Sequence, residues 1–177
     1  MQKYFSHLIV ALCAVLCLGA STLNAQDQPE KKIKYNFINE YGGFFGKNAG
    51  FTGVFINGIS INNNDVIGIG VGYGLNSATF QEVPLFLNYR HYFDLGRKLV
   101  PCINVAAGVA FHFWDDWFYT DDYYGNYVNM HGVGLYSTIA GGFRVKAFSF
   151  TGGFFFRTFP TDKSFNGGIE VKVGYTF

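Results

Sequence analysis

Apolar and polar residues alternate along most of the chain, glycine numbers 23, and aromatics make up 20% of the 177 residues. These observations predict an all-β fold: a single eight-stranded antiparallel up-and-down transmembrane β-barrel. Only 14% of residues are charged, against roughly 25% in an average globular chain, so solubilising surface is scarce. The length suits one domain. Beyond the N-terminal segment no run approaches ~18 consecutive apolar residues, which excludes a helical membrane protein. Basic and acidic residues number 13 and 12, and that balance lacks the electrostatic footprint of a nucleic-acid binder.

Residues 1–25 read as a signal peptide. Lys3 supplies a positive start, Leu8 to Leu18 forms an apolar run, and small or polar residues lead to Ala25. Cleavage is expected after Ala25. A lipoprotein needs a small residue before the modified cysteine, whereas Cys13 follows Leu12 and Cys17 follows Leu16. Losing Lys3 leaves 12 basic and 12 acidic side chains, with Cys102 as the remaining cysteine. No intrachain disulfide can then form. Residues 26–34 are expected to be a periplasmic N-terminal segment, and residues 35–177 the barrel domain.

Strands are expected over 35–45, 50–61, 66–75, 83–93, 99–113, 130–145, 148–158 and 167–177. The first sets Tyr35, Phe37, Tyr41 and Phe45 against Asn36 and Glu40. The second is less regular, with Asn57 on the apolar set and Val54 and Ile56 on the other. In the third, Ile67, Ile69, Val71 and Tyr73 alternate with four glycines. The fourth opposes Val83, Leu85, Leu87 and Tyr89 to Asn88 and Arg90. The fifth carries Asn104 and His112 opposite Phe111, and the sixth Tyr136 and Arg144 opposite Phe143. The seventh sets four phenylalanines against Ser149, Thr151 and Arg157. The last alternates Ile169, Val171, Val173, Tyr175 and Phe177 with Glu170 and Lys172. The connections at 62–65, 94–98 and 146–147 are short. Those at 75–82, 114–129 and 159–166 are longer, and only the first outer one, 46–49, is short. Long connections on one rim and short ones on the other are the pattern of an outer-membrane barrel.

Volume decides which face is inside. An eight-stranded interior is just wide enough for side chains or one small ligand. Each aromatic covers about 150–250 Å², and the apolar set holds too many to share that lumen. The polar set, with its glycines, fits. The apolar set therefore faces lipid, and Tyr89, His91, Phe93, Tyr175 and Phe177 fall at the periplasmic girdle.

The stretch VPLFLNYRHYF, the turn DLGRK, then Pro101 and Gly108 resemble the central hairpin of a known family. It is the small eight-stranded outer-membrane β-barrel domain proteins of Gram-negative bacteria, of the Bacteroidetes type. The ending VGYTF is similar to that family's C-terminal assembly signal. The resemblance implies that Tyr175 and Phe177 are read by the barrel-assembly machinery. It implies no single activity. Larger relatives hold peptidoglycan with a C-terminal periplasmic domain, which this chain is expected to lack.

The lumen is expected to carry a charge network of Glu40, Arg90, Arg144, Arg157, Glu170 and Lys172, because ionised groups in a narrow interior must be paired or hydrated. Glu40 and Glu170 can be neighbours across the seam between the first and last strands. Four cations against two carboxylates would make a narrow pore favour anions. A lipid-A acyl hydrolase or transferase would need a Ser–His arrangement. His131 and Ser137 share a face but lie six residues apart, roughly 20 Å along a strand, so no catalytic residues are assigned. No His or Cys cluster suggests a metal, and GIGVGYG leads into no helix, so no cofactor is expected. The third outer loop holds Asp115, Asp116, Asp121 and Asp122 among Trp117, Tyr119, Tyr123 and Tyr124, with no Lys or Arg. Exposed aromatics with hydrogen-bonding ends are efficient contact residues, so these are the recognition candidates. The reading is a monomeric outer-membrane barrel with a charge-plugged lumen and a structural or surface-interaction role. The alternatives are a narrow pore or, less favoured, a lipid-A-modifying enzyme. The expected partners are outer-membrane lipid and lipopolysaccharide, the assembly machinery and an extracellular ligand.

Overall fold

The computed structural model describes residues 33–47, 49–61, 64–76, 80–114, 130–158 and 165–177. Eight strands follow in chain order: β1 (Ile33–Phe45), β2 (Ala49–Ile61), β3 (Asp65–Asn76), β4 (Phe80–Tyr92), β5 (Leu99–Trp114), β6 (Met130–Val145), β7 (Phe148–Thr158) and β8 (Phe165–Thr176). Each pairs with its sequence neighbour, and β1 pairs antiparallel with β8 to close the barrel. Closure pairs β1 with β8 over Ile38–Phe45 and Ile169–Thr176, as backbone in hydrocarbon requires.

Two strand limits differ from expectation in ways that matter. β1 begins at Ile33, because Ile33 and Lys34 pair with Ile61 and Ser60. The span 26–34 therefore ends inside the barrel. β4 begins at Phe80, three residues before the alternation is legible in sequence, because its pairing with β5 extends to Trp114. That extension carries Glu82 into the wall.

The strands tilt. Crossing paired residues from Ile38 leads through Ile56, Gly70, Phe86, Gly108, Tyr136 and Arg157 to Asn166. The path starts at Ile38, which faces Thr176 at the lower end of β8 across the seam, and returns to β8 at Asn166 near its upper end, the stagger that closing an eight-stranded sheet demands. The short turns use left-handed backbone where hairpin geometry asks for it. Lys146 has φ 56°, and Gly96 has φ 66°. The Gly96 amide donates to Asp94 Oδ1 at 3.0 Å, which tightens the β4–β5 turn.

The outward face is apolar, as the alternation predicts. Leu87, Ile69, Val171, Leu135 and Phe154 are about half exposed or more. A belt of this kind suits hydrocarbon and not water. Phe37 keeps the outward parity, but the rings of Phe55 and Phe177 flank it at 6.5 and 5.9 Å. Asn57, the irregular polar residue on that face, accepts a hydrogen bond from the Tyr35 hydroxyl. A partner on the adjacent strand thus offsets its misplacement.

The interior is not uniformly polar. Ile38, Val54, Ile56, Val66, Phe86 and Tyr136 form an apolar cluster inside the barrel. Glycines make the room. A Cβ on Gly70 would lie 2.3 Å from the Phe86 ring, and one on Gly74 would lie 2.7 Å from the Glu82 side chain.

Candidate functional site

Strand β4 is the spine of the lumen. Glu82, Phe86 and Arg90 lie four residues apart on its inner face, all buried. Near the rim of the longer connections, Arg157 Nη1 on β7 approaches Glu82 Oε1 at 2.6 Å. In the middle, the Phe86 and Tyr136 rings lie 5.2 Å apart. Toward the other rim, Arg90 Nη2 donates to Glu40 Oε1 on β1 at 2.6 Å. On β8, Lys172 Nζ donates to Glu170 Oε1 at 2.7 Å. All six of these charged side chains are at most 4% exposed.

Neutral groups and rings complete the packing. The Asn88 amide nitrogen donates to Asn104 Oδ1 at 2.6 Å. The Arg157 guanidinium lies over the Phe44 and Phe155 rings, at 4.3 and 4.5 Å from their centres. Such cation–π contacts hold the planar group while its edge meets the carboxylate.

The sequence-predicted network is thus partly assembled. Glu40, Arg90, Arg157, Glu170 and Lys172 all lie inside and form ion pairs. Glu40 and Glu170 are not opposite one another. Across the seam Glu40 faces Gly174 and Glu170 faces Phe44, while Lys172, opposite Gly42, lies between their levels. Arg144 is half-buried and makes no ion pair among the described residues; its guanidinium stacks over Tyr92 at 3.9 Å. The carboxylate missed from sequence is Glu82, whose position reads as loop. With it, the three ion pairs balance cation against anion, and the charge excess behind an anion-selective pore is removed from the buried set.

The two histidines whose side chains are described lie in separate places. His91 Nδ1 lies 2.8 Å from Asp65 Oδ1, which also accepts from the Tyr89 hydroxyl at 2.7 Å. This cluster sits at the rim of the short turns, where the His91 and Phe93 rings meet edge to face at 4.6 Å. His112 is buried in the lumen. At the β7–β8 base, Tyr175 packs on Phe148 and Phe177 at 5.1 and 4.6 Å. The Phe177 amide donates to the Phe37 carbonyl, tying the last residue to β1. Asp115, Asp116, Trp117, Tyr119, Asp121, Asp122, Tyr123 and Tyr124 lie outside the described residues, as do residues 1–25.

No family model matches this chain, and no curated protein matches it. Solved structures do. Neisserial surface protein A (NspA) superposes with a TM-score of 0.58 at 13% identity, covering 83% of this chain and 100% of that one. The N-terminal β-barrel domain of Pseudomonas aeruginosa OprF gives 0.59 at 14% identity, covering 82% of this chain and 99% of that one. What they share with this chain is the fold. At such identity the lumen residues need not correspond, so the ion pairs above are properties of this sequence.

Proposed function

We propose that this chain is a monomeric bacterial outer-membrane barrel with a side-chain plug, serving a structural or surface-interaction role. The observation that carries the reading is the lumen: the buried pairs Arg157–Glu82 and Arg90–Glu40 bracket the Phe86–Tyr136 contact, and a third buried pair, Lys172–Glu170, adds to the filling. An eight-stranded barrel filled by side chains has no room for an aqueous path. The apolar exterior and the amino-terminal pattern support the location. Residues 1–25 would direct export, residues 26–32 would lie in the periplasm, and Tyr175 with Phe177 would be read by the assembly machinery. The third outer loop would bind an extracellular ligand through Trp117, Tyr119, Tyr123 and Tyr124, with Asp115, Asp116, Asp121 and Asp122 setting its charge.

The deciding experiment is conductance in planar bilayers. Purified protein should insert and carry little steady current. Large, stable channels would overturn the plug and return the reading to a pore. Lipid A from a deletion strain should keep its acylation pattern; a changed pattern would revive the enzyme. Replacing the four loop aromatics with Ser should leave a folded barrel and abolish surface binding, and full retention would dismiss the loop.

A further inference from the structure

The β5–β6 base gathers positive charge. Leu99 pairs with Val145 and Val100 with Arg144. Lys98 directly precedes Leu99 and Lys146 directly follows Val145, so both lie at the base of this strand pair. Arg97 precedes Lys98 in the same turn. Arg97, Lys98 and Lys146 are exposed, whereas Arg144 is half-buried and turned inward over the buried Tyr92 ring. None of these three exposed cations makes an ion pair among the described residues. Two acids share this rim. Asp94 is turned to the Gly96 amide, and Asp65 is engaged by Tyr89 and His91. Three exposed cations against Asp94 leave this sector net positive, and an anion placed among them would relieve the repulsion.

Position selects the anion. Immediately around the cations, Phe93, Leu95, Leu99, Val145 and Phe148 are exposed on the outer surface. Charge at the end of an apolar wall is the profile of a phospholipid: phosphate at the cations, acyl chains along the strand faces. Basic clusters at a membrane boundary select anionic headgroups on these grounds.

We propose that Arg97, Lys98 and Lys146 form a binding site for anionic phospholipid headgroups on the periplasmic rim. A two-phosphate headgroup of the cardiolipin type fits best, because the cations come from two adjacent hairpins. This rests on the outer-membrane reading, whose own failure would be visible separately as failure to insert into any bilayer.

The test reconstitutes full-length protein into vesicles of phosphatidylethanolamine alone or with phosphatidylglycerol or cardiolipin. Co-purifying lipid is then counted by native mass spectrometry after detergent release. Wild type should retain cardiolipin over phosphatidylethanolamine, and the preference should collapse in 1 M salt, where the Debye length is about 3 Å. Each basic residue near an anionic surface contributes about fivefold. Arg97→Gln, Lys98→Gln and Lys146→Asn together should therefore cut cardiolipin retention by about a hundredfold at low salt. A charge-preserving set, Arg97→Lys, Lys98→Arg and Lys146→Arg, should keep most of it, and this second set still decides the matter if the neutral set misfolds. Insertion with equal retention of all three lipids, or unchanged retention in the neutral variant, would overturn the site. Displacement of cardiolipin by soluble peptidoglycan fragments at matched charge would also overturn it, in favour of an acidic polymer as the partner.

Discussion

The two faces of the same strands obey different rules. Outside, Ile69, Leu87 and Val171 are exposed, and a hydrocarbon solvent would accept any apolar shape there. Inside, Arg90 and Glu40 come from strands three places apart in the sheet and meet at 2.6 Å with almost no exposure. The outer face needs a residue class at each position. The inner face needs a particular partner for each residue. Tolerance to substitution should therefore be broad outside for apolar exchanges and narrow inside for nearly all.

The largest effect should come from splitting a buried pair. Glu40→Ala leaves Arg90 uncompensated and should lower unfolding stability in detergent by about 3–5 kcal/mol. Replacing both partners, Glu40→Leu with Arg90→Met, should recover most of that loss, as buried pairs exchanged for packed apolar residues often do. A double variant as unstable as the single one would show that packing, and not charge, dominates there.

Breaking the outer rule should cost slightly less. Val171 pairs with Gly43 and Gly152 near the middle of β8, so Val171→Arg places charge near the bilayer centre. Denaturant titration of the barrel in lipid vesicles should show a loss of about 2–4 kcal/mol, whereas Val171→Leu should be close to neutral. Equal effects of the two would contradict a lipid-facing surface.

Crowding the lumen comes next. Gly70→Val would drive a side chain into the Phe86 ring, with an expected destabilisation of about 1–3 kcal/mol. The paired substitution Phe86→Leu should relieve part of it. The smallest effect belongs to Arg144, which is half-buried and held by the Tyr92 ring. Arg144→Gln should cost about 0.5–1 kcal/mol, and a loss as large as that of Glu40→Ala would place Arg144 within the buried network after all.

Glu82 shows where legibility ends. Phe80, Gln81 and Glu82 have no apolar alternation of their own; they are strand because β5 extends far enough to pair with them. Glu40 and Glu170 show the same limit differently. Adjacent strands brought them to one seam, but the register set Gly174 opposite Glu40 and Phe44 opposite Glu170.

By itself the sequence determined eight strands, their antiparallel order and which face meets lipid, because alternation with period two is a local property of each strand. It also determined that charges lie inside, since a lumen this narrow cannot take the aromatics. Only the tertiary structure decided which charge meets which. The stagger of the closed sheet sets relative heights, and Arg157 reaches Glu82, and Arg90 reaches Glu40, across the lumen and not along the chain. Those pairings depend on closure of all eight strands, which no single stretch of residues encodes.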